Sequence, residues 1–510
     1  MPALFRFKIE DRAQADERLD GVLRCAAGAS RKKEDDTRFD ALMIVLSIPL
    51  AARAAAQGAT ATGEPALPRG AVIERVPCAS LPDQSYALYL PSTYSADRAW
   101  PILYAFDPGA QGVRPVRLAI DAAERFGWIV AGSNNSRNGP MPEIQAAVNA
   151  ILDDTGRRFK IDSRRVYATG LSGGARVATR LALACRGCMA GVFAQSAGLP
   201  VGLSGTPAFD FAWFASAGER DMNYAELFML EQELARRGAR QRLRVFAGGH
   251  EWAPAEVWAE AFEWFELLAM NDGRRPRDPA LAASLLEKAS TRAAGFESRG
   301  EALNEERELA FIARDFAAPA DTAPSQRRLK ELEASSAYRR ALDQERKAVD
   351  EQRRVTSELQ ADLARLSESS DEHAGIVLRA NQAASEIRRG LSGAKAPRQR
   401  LVYERALSEA YIGAMEAARS ALRQQQTESA LELYGIAATL RPEAPQPLLG
   451  RAQAQAAAGK RQDAVRSLRR AVELGTSPAE LARLVETTDA FAKLRDDPEL
   501  RALLAPSTAR

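Results

Sequence analysis

Residues 165–179 read Arg-Val-Tyr-Ala-Thr-Gly-Leu-Ser-Gly-Gly-Ala-Arg-Val-Ala-Thr. The opening residues favour a strand, and the alanine-rich run after Gly174 favours a helix. Between them, Gly170-Leu171-Ser172-Gly173-Gly174 places Ser172 on a strand-to-helix turn. Such a turn is strained and needs glycine neighbours to avoid Cβ clashes, and it leaves the serine Oγ exposed. It also aims a helix N-terminus at negative charge developing nearby. The competing reading is a glycine-rich structural turn with no chemistry.

On either side, residues 72–272 alternate short apolar runs with helical stretches. Expected strands are Tyr86–Leu90, Pro101–Phe106, Trp128–Ser133, Arg165–Thr169, Gly191–Gln195, Phe211–Ser216 and Leu243–Phe246. Expected helices include Met141–Arg158, Ala175–Ala184, Ala225–Arg237 and Ala255–Met270. Continuous apolar strands alternating with helices predict an α/β fold whose parallel sheet is covered on both faces.

A serine hydroxyl is a weak nucleophile and needs a base, followed by an acid to orient that base. The chain holds only two histidines. His250, in Gly248-Gly249-His250-Glu251-Trp252, follows the last expected strand and is the candidate base. His373 lies in a charged helical segment and reads as a surface residue. The acid should leave the preceding strand, which points to Asp221, with Glu219 as the alternative; Asp221 could equally cap the helix that begins near Tyr224. The chain order Ser, acid, His suits a strand-to-helix nucleophile turn.

An oxyanion needs two donors. Gly173 N–H is one, and Gly109 or Ala110 in Asp107-Pro108-Gly109-Ala110 is the other, because Pro108 has no N–H. Asp107 is expected to form an Asx-turn. Phe106, Trp213, Met222 and Trp252 could line a substrate pocket, although aromatic residues at strand ends more often belong to the core.

With these residues in place, the region resembles α/β-hydrolases of the polyhydroxybutyrate depolymerase and feruloyl-esterase type. The matching segments are Ser85-Tyr-Ala-Leu-Tyr-Leu-Pro-Ser-Thr-Tyr94, Gly170-Leu-Ser-Gly-Gly174, Gly218-Glu-Arg-Asp221 and Gly249-His-Glu-Trp252. The resemblance implies Ser172 as nucleophile, Asp221 as acid, His250 as base, a small-molecule or polymeric ester as substrate, and no cofactor or metal. Where such enzymes usually carry a His-Gly-type loop, this chain has Phe106-Asp-Pro-Gly109. No insertion is long enough for a lid domain, so the site is expected to be open or covered by the C-terminal helices. Cys78, expected just before the first strand, could pair with Cys185 or Cys188, or all three could be buried thiols.

The texture changes after 272. Residues 273–400 are charged and helical, without proline from 325 to 396. Tyr338, Leu342, Val349, Leu359, Leu363 and Leu366 approach a coiled-coil spacing, interrupted by Glu345, Gln352 and Thr356. In 401–500, Ala418 and Ala452, Ala430 and Ala464, Ala437 and Ala471, and Leu440 and Leu474 are each 34 residues apart. With Pro442 and Gly459 as breaks, this resembles two tetratricopeptide repeats over 411–478, which implies a protein partner or self-association. Residues 501–510 read as a tail.

Composition bounds the rest. The 510 residues, roughly three domains' worth, are 46% hydrophobic and 27% charged. Lys and Arg total 70 against 67 Asp and Glu, a net of +3, which gives no basic field for nucleic acid. Four cysteines, Cys25 included, are too few for a disulfide scaffold. Ala41–Ala52 is too short to span a bilayer but suits a secretory signal, with cleavage after Ala56. Residues 1–71 therefore read as an N-terminal extension of an exported, periplasmic or secreted protein, with a cytoplasmic protein as the alternative. The leading expectation is a serine esterase. The others are a repeat-based scaffold with an inactive hydrolase domain, or a peptidase or acyltransferase using the same triad.

Overall fold

In a computed structural model of the chain, the described residues are 67–504, apart from 201, 203–204, 206, 317–320 and 367–372. The apolar run of 41–56, Cys25 and the tail after 504 lie outside them. From Arg69 to Leu504 the described residues form one compact unit.

Eight strands make one sheet: β1 (Val72–Cys78), β2 (Leu81–Tyr89), β3 (Trp100–Phe106), β4 (Ile129–Ser133), β5 (Ile161–Leu171), β6 (Gly191–Gln195), β7 (Ala212–Gly218) and β8 (Gln241–Phe246). Their order is β1-β2-β4-β3-β5-β6-β7-β8. The β1–β2 and β2–β4 pairs are antiparallel and the others parallel. Every residue of β3, β4, β6 and β7 is buried, so both faces of the central sheet are covered. This is the α/β-hydrolase sheet expected from the sequence, extended by an antiparallel edge. Cys78 ends β1 rather than preceding the first strand. It is a buried free thiol whose pKa is pushed up to about 11, chiefly by burial. Cys185 and Cys188 are bonded to each other, so the expected pairing with Cys78 does not form.

The crossovers contain α1 (Val113–Phe126), α2 (Met141–Arg158), α3 (Gly173–Ala184) and α4 (Tyr224–Arg236), and α5 (Ala255–Asn271) follows the last strand. On one face, Trp128 stacks on Tyr167 at 4.2 Å and Tyr167 on Phe265 of α5 at 4.8 Å. The same core continues past residue 272 into α6 (Pro279–Ser298), α7 (Ala302–Asp315) and α8 (Ala323–Ala334), through Leu285, Ala289, Phe311, Ile312, Phe316 and Leu332. Trp264 Nε1 of α5 donates to Asp315 Oδ2 at 2.7 Å. The change of texture at 273 is therefore not a break in the core.

A second core joins the end of α9 (Ser336–Leu366) to α10 (His373–Gly393), α11 (Pro397–Arg423) and α12 (Thr427–Leu440). A third joins α13 (Gln446–Ala457), α14 (Arg461–Glu473), α15 (Pro478–Thr487) and α16 (Pro498–Leu504). All six repeat-spaced alanines are fully buried, as close helix packing requires. In α9, Val349, Leu359, Leu363 and Leu366 are buried, but so are Glu345, Gln352 and Thr356. Those polar residues meet partners on α11 and on the sheet region instead of interrupting a coiled-coil seam. No helix among the described residues is long and apolar enough to cross a membrane.

Ile312 lies on α7, outside the expected hydrolase region, yet is fully buried in the core of the sheet. Ile312→Ala is expected to cost about 2–5 kcal/mol. The loss should appear in the denaturation midpoint of the tryptophan fluorescence, which arises from the sheet and its helices.

Candidate active site

The chain runs from β5 into α3 through Ser172, at φ 54° and ψ −120°. A non-glycine residue held there costs about 1–3 kcal/mol and persists only where its surroundings fix it. Ser172 N–H donates to Gln195 O at 2.8 Å, and Arg176 N–H donates to Ser172 O at 3.1 Å. The flanking glycines are required by close backbone approach. A Cβ on Gly170 would stand 2.2 Å from the Gly174 carbonyl carbon, and one on Gly174 would stand 1.9 Å from Phe106 O. Gly173 opens α3, so its N–H has no acceptor within the helix.

Asp221 lies in the loop after β7 and is wholly buried. Its Oδ1 accepts from Asn223 N–H at 2.8 Å and faces His250 Nδ1 at 2.9 Å. With Nδ1–H donated to the carboxylate, His250 Nε2 is left as an acceptor on its partly exposed edge. Acid and base loops cross directly. A Cβ on Gly218 would stand 2.3 Å from Gly249 O, and Arg220 N–H donates to Gly248 O at 2.9 Å. Glu219, the alternative acid, pairs with Arg220 at the surface. His373 Nε2 is hydrogen-bonded to Glu432 Oε2 of α12. Among the described residues no hydrogen bond joins Ser172 Oγ to His250. Such bonds are commonly long before a substrate is bound.

The loop after β3 differs from expectation. Asp107 does form an Asx-turn, but it consumes both proposed donors. Gly109 N–H donates to Asp107 Oδ1 at 2.7 Å, and Ala110 N–H to Asp107 O at 3.0 Å. Neither N–H is free for an oxyanion, which leaves Gly173 from the expected set. The side chain that lies over Gly173 is that of Asn138. Its backbone N–H donates to Pro108 O at 2.9 Å, and its carboxamide lies over Gly173, with Oδ1 only 1.8 Å from where a Cβ would sit. Asn138 follows β4, far from the elbow in sequence, and no local signal marks it.

The expected pocket residues are buried. Phe106 and Trp213 are fully enclosed in the core and line no opening. Trp252 packs on Trp258 at 5.8 Å and donates from Nε1 to Asp107 Oδ2 at 3.2 Å. The Met222 carbonyl accepts from Gln352. Two surface cavities, one beside Arg98 and Arg275 and one beside Phe209 and Asp210, include none of Ser172, Asp221 and His250 in their walls. Among the described residues no cluster of three or more His, Cys, Asp or Glu side chains could hold a metal ion.

No protein-family model matches this sequence, and no curated protein matches it. Among solved structures it is similar to S-formylglutathione hydrolase from Staphylococcus aureus, at 13% identity over 35% of this chain and 87% of that chain, with a TM-score of 0.29. It is also similar to a ferulic acid esterase, at 19% identity over 38% of this chain and 94% of that one, with a TM-score of 0.31. An esterase from Pyrobaculum calidifontis gives 13%, 40%, 87% and 0.32 in the same order. At TM-scores this low, the likenesses add nothing to what the sheet order and the elbow show.

Gly174→Ala sets a methyl group against the Phe106 carbonyl and should lower stability by about 2–3 kcal/mol. A Cβ on Gly249 would meet nothing within 4 Å, so Gly249→Ala should stay within about 0.5 kcal/mol. Urea denaturation of the two variants side by side checks the contrast.

Proposed function

We propose that the protein is a serine hydrolase of carboxylic esters. The observation that carries this reading is the 2.9 Å bond between buried Asp221 and His250, on loops that leave the same end of the parallel sheet as a serine at φ 54° on a helix N-terminus. Ser172 Oγ attacks the ester carbonyl while His250 Nε2 takes its proton. Asp221 holds the imidazole in the tautomer that permits this and stabilises the imidazolium that results. The oxyanion forms next to Gly173 N–H and the positive end of α3, with the Asn138 carboxamide as the second donor in place of Gly109 and Ala110. His250 then protonates the leaving alcohol, and a water activated by the same imidazole hydrolyses the acyl-enzyme.

An exported setting fits the apolar run at 41–56 and the Cys185–Cys188 bridge, since such bonds persist in oxidising compartments.

The full chain should react with a fluorophosphonate probe and turn over short-chain p-nitrophenyl esters, and Ser172→Ala should abolish both. An intact protein that does neither overturns the reading. Asp221→Asn, which keeps the shape but spoils the tautomer, should lower kcat about 10³- to 10⁴-fold. Asn138→Ala should lower kcat about 10- to 100-fold if its amide is the second donor.

A further inference from the structure

Two side chains from the C-terminal helices reach the loop that carries Asp221. Arg405 of α11 donates from Nε to Glu219 O at 2.7 Å, and Gln352 of α9 donates from Nε2 to Met222 O at 2.8 Å. The two carbonyls bracket Asp221, one on each side in sequence. Neither contact is incidental to the surface: Arg405 is 4% and Gln352 1% exposed.

Both donors are themselves fixed. The Arg405 guanidinium lies 3.7 Å from the centre of the Tyr224 ring and 3.6 Å from Glu345, whose carboxylate also takes Arg398 at 2.6 Å. Gln352 Nε2 donates in addition to Glu409 Oε2 at 3.0 Å, and Glu409 Oε1 accepts from Thr356 at 3.1 Å. A buried guanidinium is costly unless it is paired and hydrogen-bonded. Here one of its bonds ends on a backbone carbonyl two residues from the acid.

From within the sheet region, the loop is held by Asn223 Nδ2 on Ser196 O at 2.6 Å and, towards β8, by Glu219 N–H on Phe246 O and Arg220 N–H on Gly248 O. The last two bonds tie it to the loop of His250, and all three leave the carbonyls at 219 and 222 for other donors. The Asp221 carboxylate itself is held through Oδ1 alone, and no protein group donates to its Oδ2.

We infer that Arg405 and Gln352 are positioning residues for the Asp221–His250 pair, so that the C-terminal helices form part of the active-site frame. The inference rests on the hydrolase reading above. Substrate-facing chemistry stays with Ser172, Asp221 and His250. The two helix residues fix where the acid loop sits, and with it the height and tilt of the imidazole. An error near 1 Å in such a frame can lower rate about 100-fold.

The test uses the full chain, with Arg405→Met and Gln352→Met removing the donors at similar volume. Arg405→Lys restores a donor, and Arg400→Met, on the exposed face of α11, is the control. With circular dichroism confirming the fold, Arg405→Met and Gln352→Met should each lower kcat about 10- to 100-fold while KM changes by less than about 3-fold. Arg405→Lys should recover most of the loss, and Arg400→Met should match the intact protein. The fluorophosphonate labelling rate should fall in parallel with kcat.

If the intact protein neither labels nor turns over, the hydrolase reading itself has failed. If it does both, and the folded Met variants keep kcat within about twofold, the positioning inference is overturned and the hydrolase reading stands. A loss that only tracks the unfolded fraction, or that Arg405→Lys does not relieve, also overturns it. Should Arg405→Met fail to fold, Gln352→Met and Arg405→Lys decide the matter by the same criteria.

Discussion

Ser172 can occupy its left-handed conformation only because backbone meets backbone around it. Gly174 lies against the Phe106 carbonyl, and Gly170 against Gly174 itself. The same device recurs along one edge of the sheet. A Cβ on Gly112 would stand 2.1 Å from Gly132 O, and Gly218 approaches Gly249 as closely. The loops leaving β3, β4, β5, β7 and β8 are thereby packed onto one another at the carboxyl ends of the strands, where open α/β sheets place their ligands. Each of these contacts leaves no room for a methyl group, so the edge behaves as one rigid frame in which a strained serine can be held.

Two buried carboxylates on that edge show how differently similar geometry can be used. Asp107 and Asp221 each turn one oxygen back onto the N–H two residues ahead, at 2.7 and 2.8 Å. Asp107 spends its other oxygen on Trp252, so the group is fully satisfied and serves to tie the β3 loop to the His250 loop. Asp221 has an imidazole on the first oxygen, and no protein group donates to the second. An orphaned buried acceptor costs free energy and calls for an explanation. Here it stands beside the one base in the sheet region and in the loop that the distant helices grip.

Much of this was legible in the order of residues. The central strands announced themselves because they are buried on both faces and so read as unbroken apolar runs, as Gly191–Gln195 does. The edge strand Val72–Cys78 did not: Glu74 and Arg75 face solvent, and its register shifts twice against β2. That Asp221 and His250 meet was legible because chain order and loop position restrict the pairing, and only His250 was available in the sheet region. That the Gly109 and Ala110 N–H groups are already bonded was not legible, because composition does not reveal it, and Asp107 takes both. Asn138, Gln352 and Arg405 left no local trace. Each acts on a segment far along the chain, and in α9 Gln352 and Thr356 had the appearance of breaks in an apolar seam.

The same long-range logic governs how the helices join the sheet. Arg242 on β8 is buried with Glu308 of α7 at 3.0 Å, while Arg307 of α7 grips Glu231 of α4 through two bonds of 2.7 Å. Burial pulls the Arg242 pKa down, and Glu308 and Glu260 oppose it. Ion pairs of this kind add little net stability over a well-packed apolar contact. Separating one, however, strands a buried charge at a cost on the order of 3–5 kcal/mol. A helix layer docked one turn out of place would strand several at once, whereas the apolar contacts of Ile312 or Leu332 would tolerate the slip more readily. The charged pairs thus give α7 its register against the sheet region, and Arg405 of α11 adds a further fixed contact, to a single carbonyl two residues from Asp221. The layer that looked like a separate, charged appendage shares its core and its buried ion pairs with the sheet, and two side chains beyond it meet the loop of Asp221.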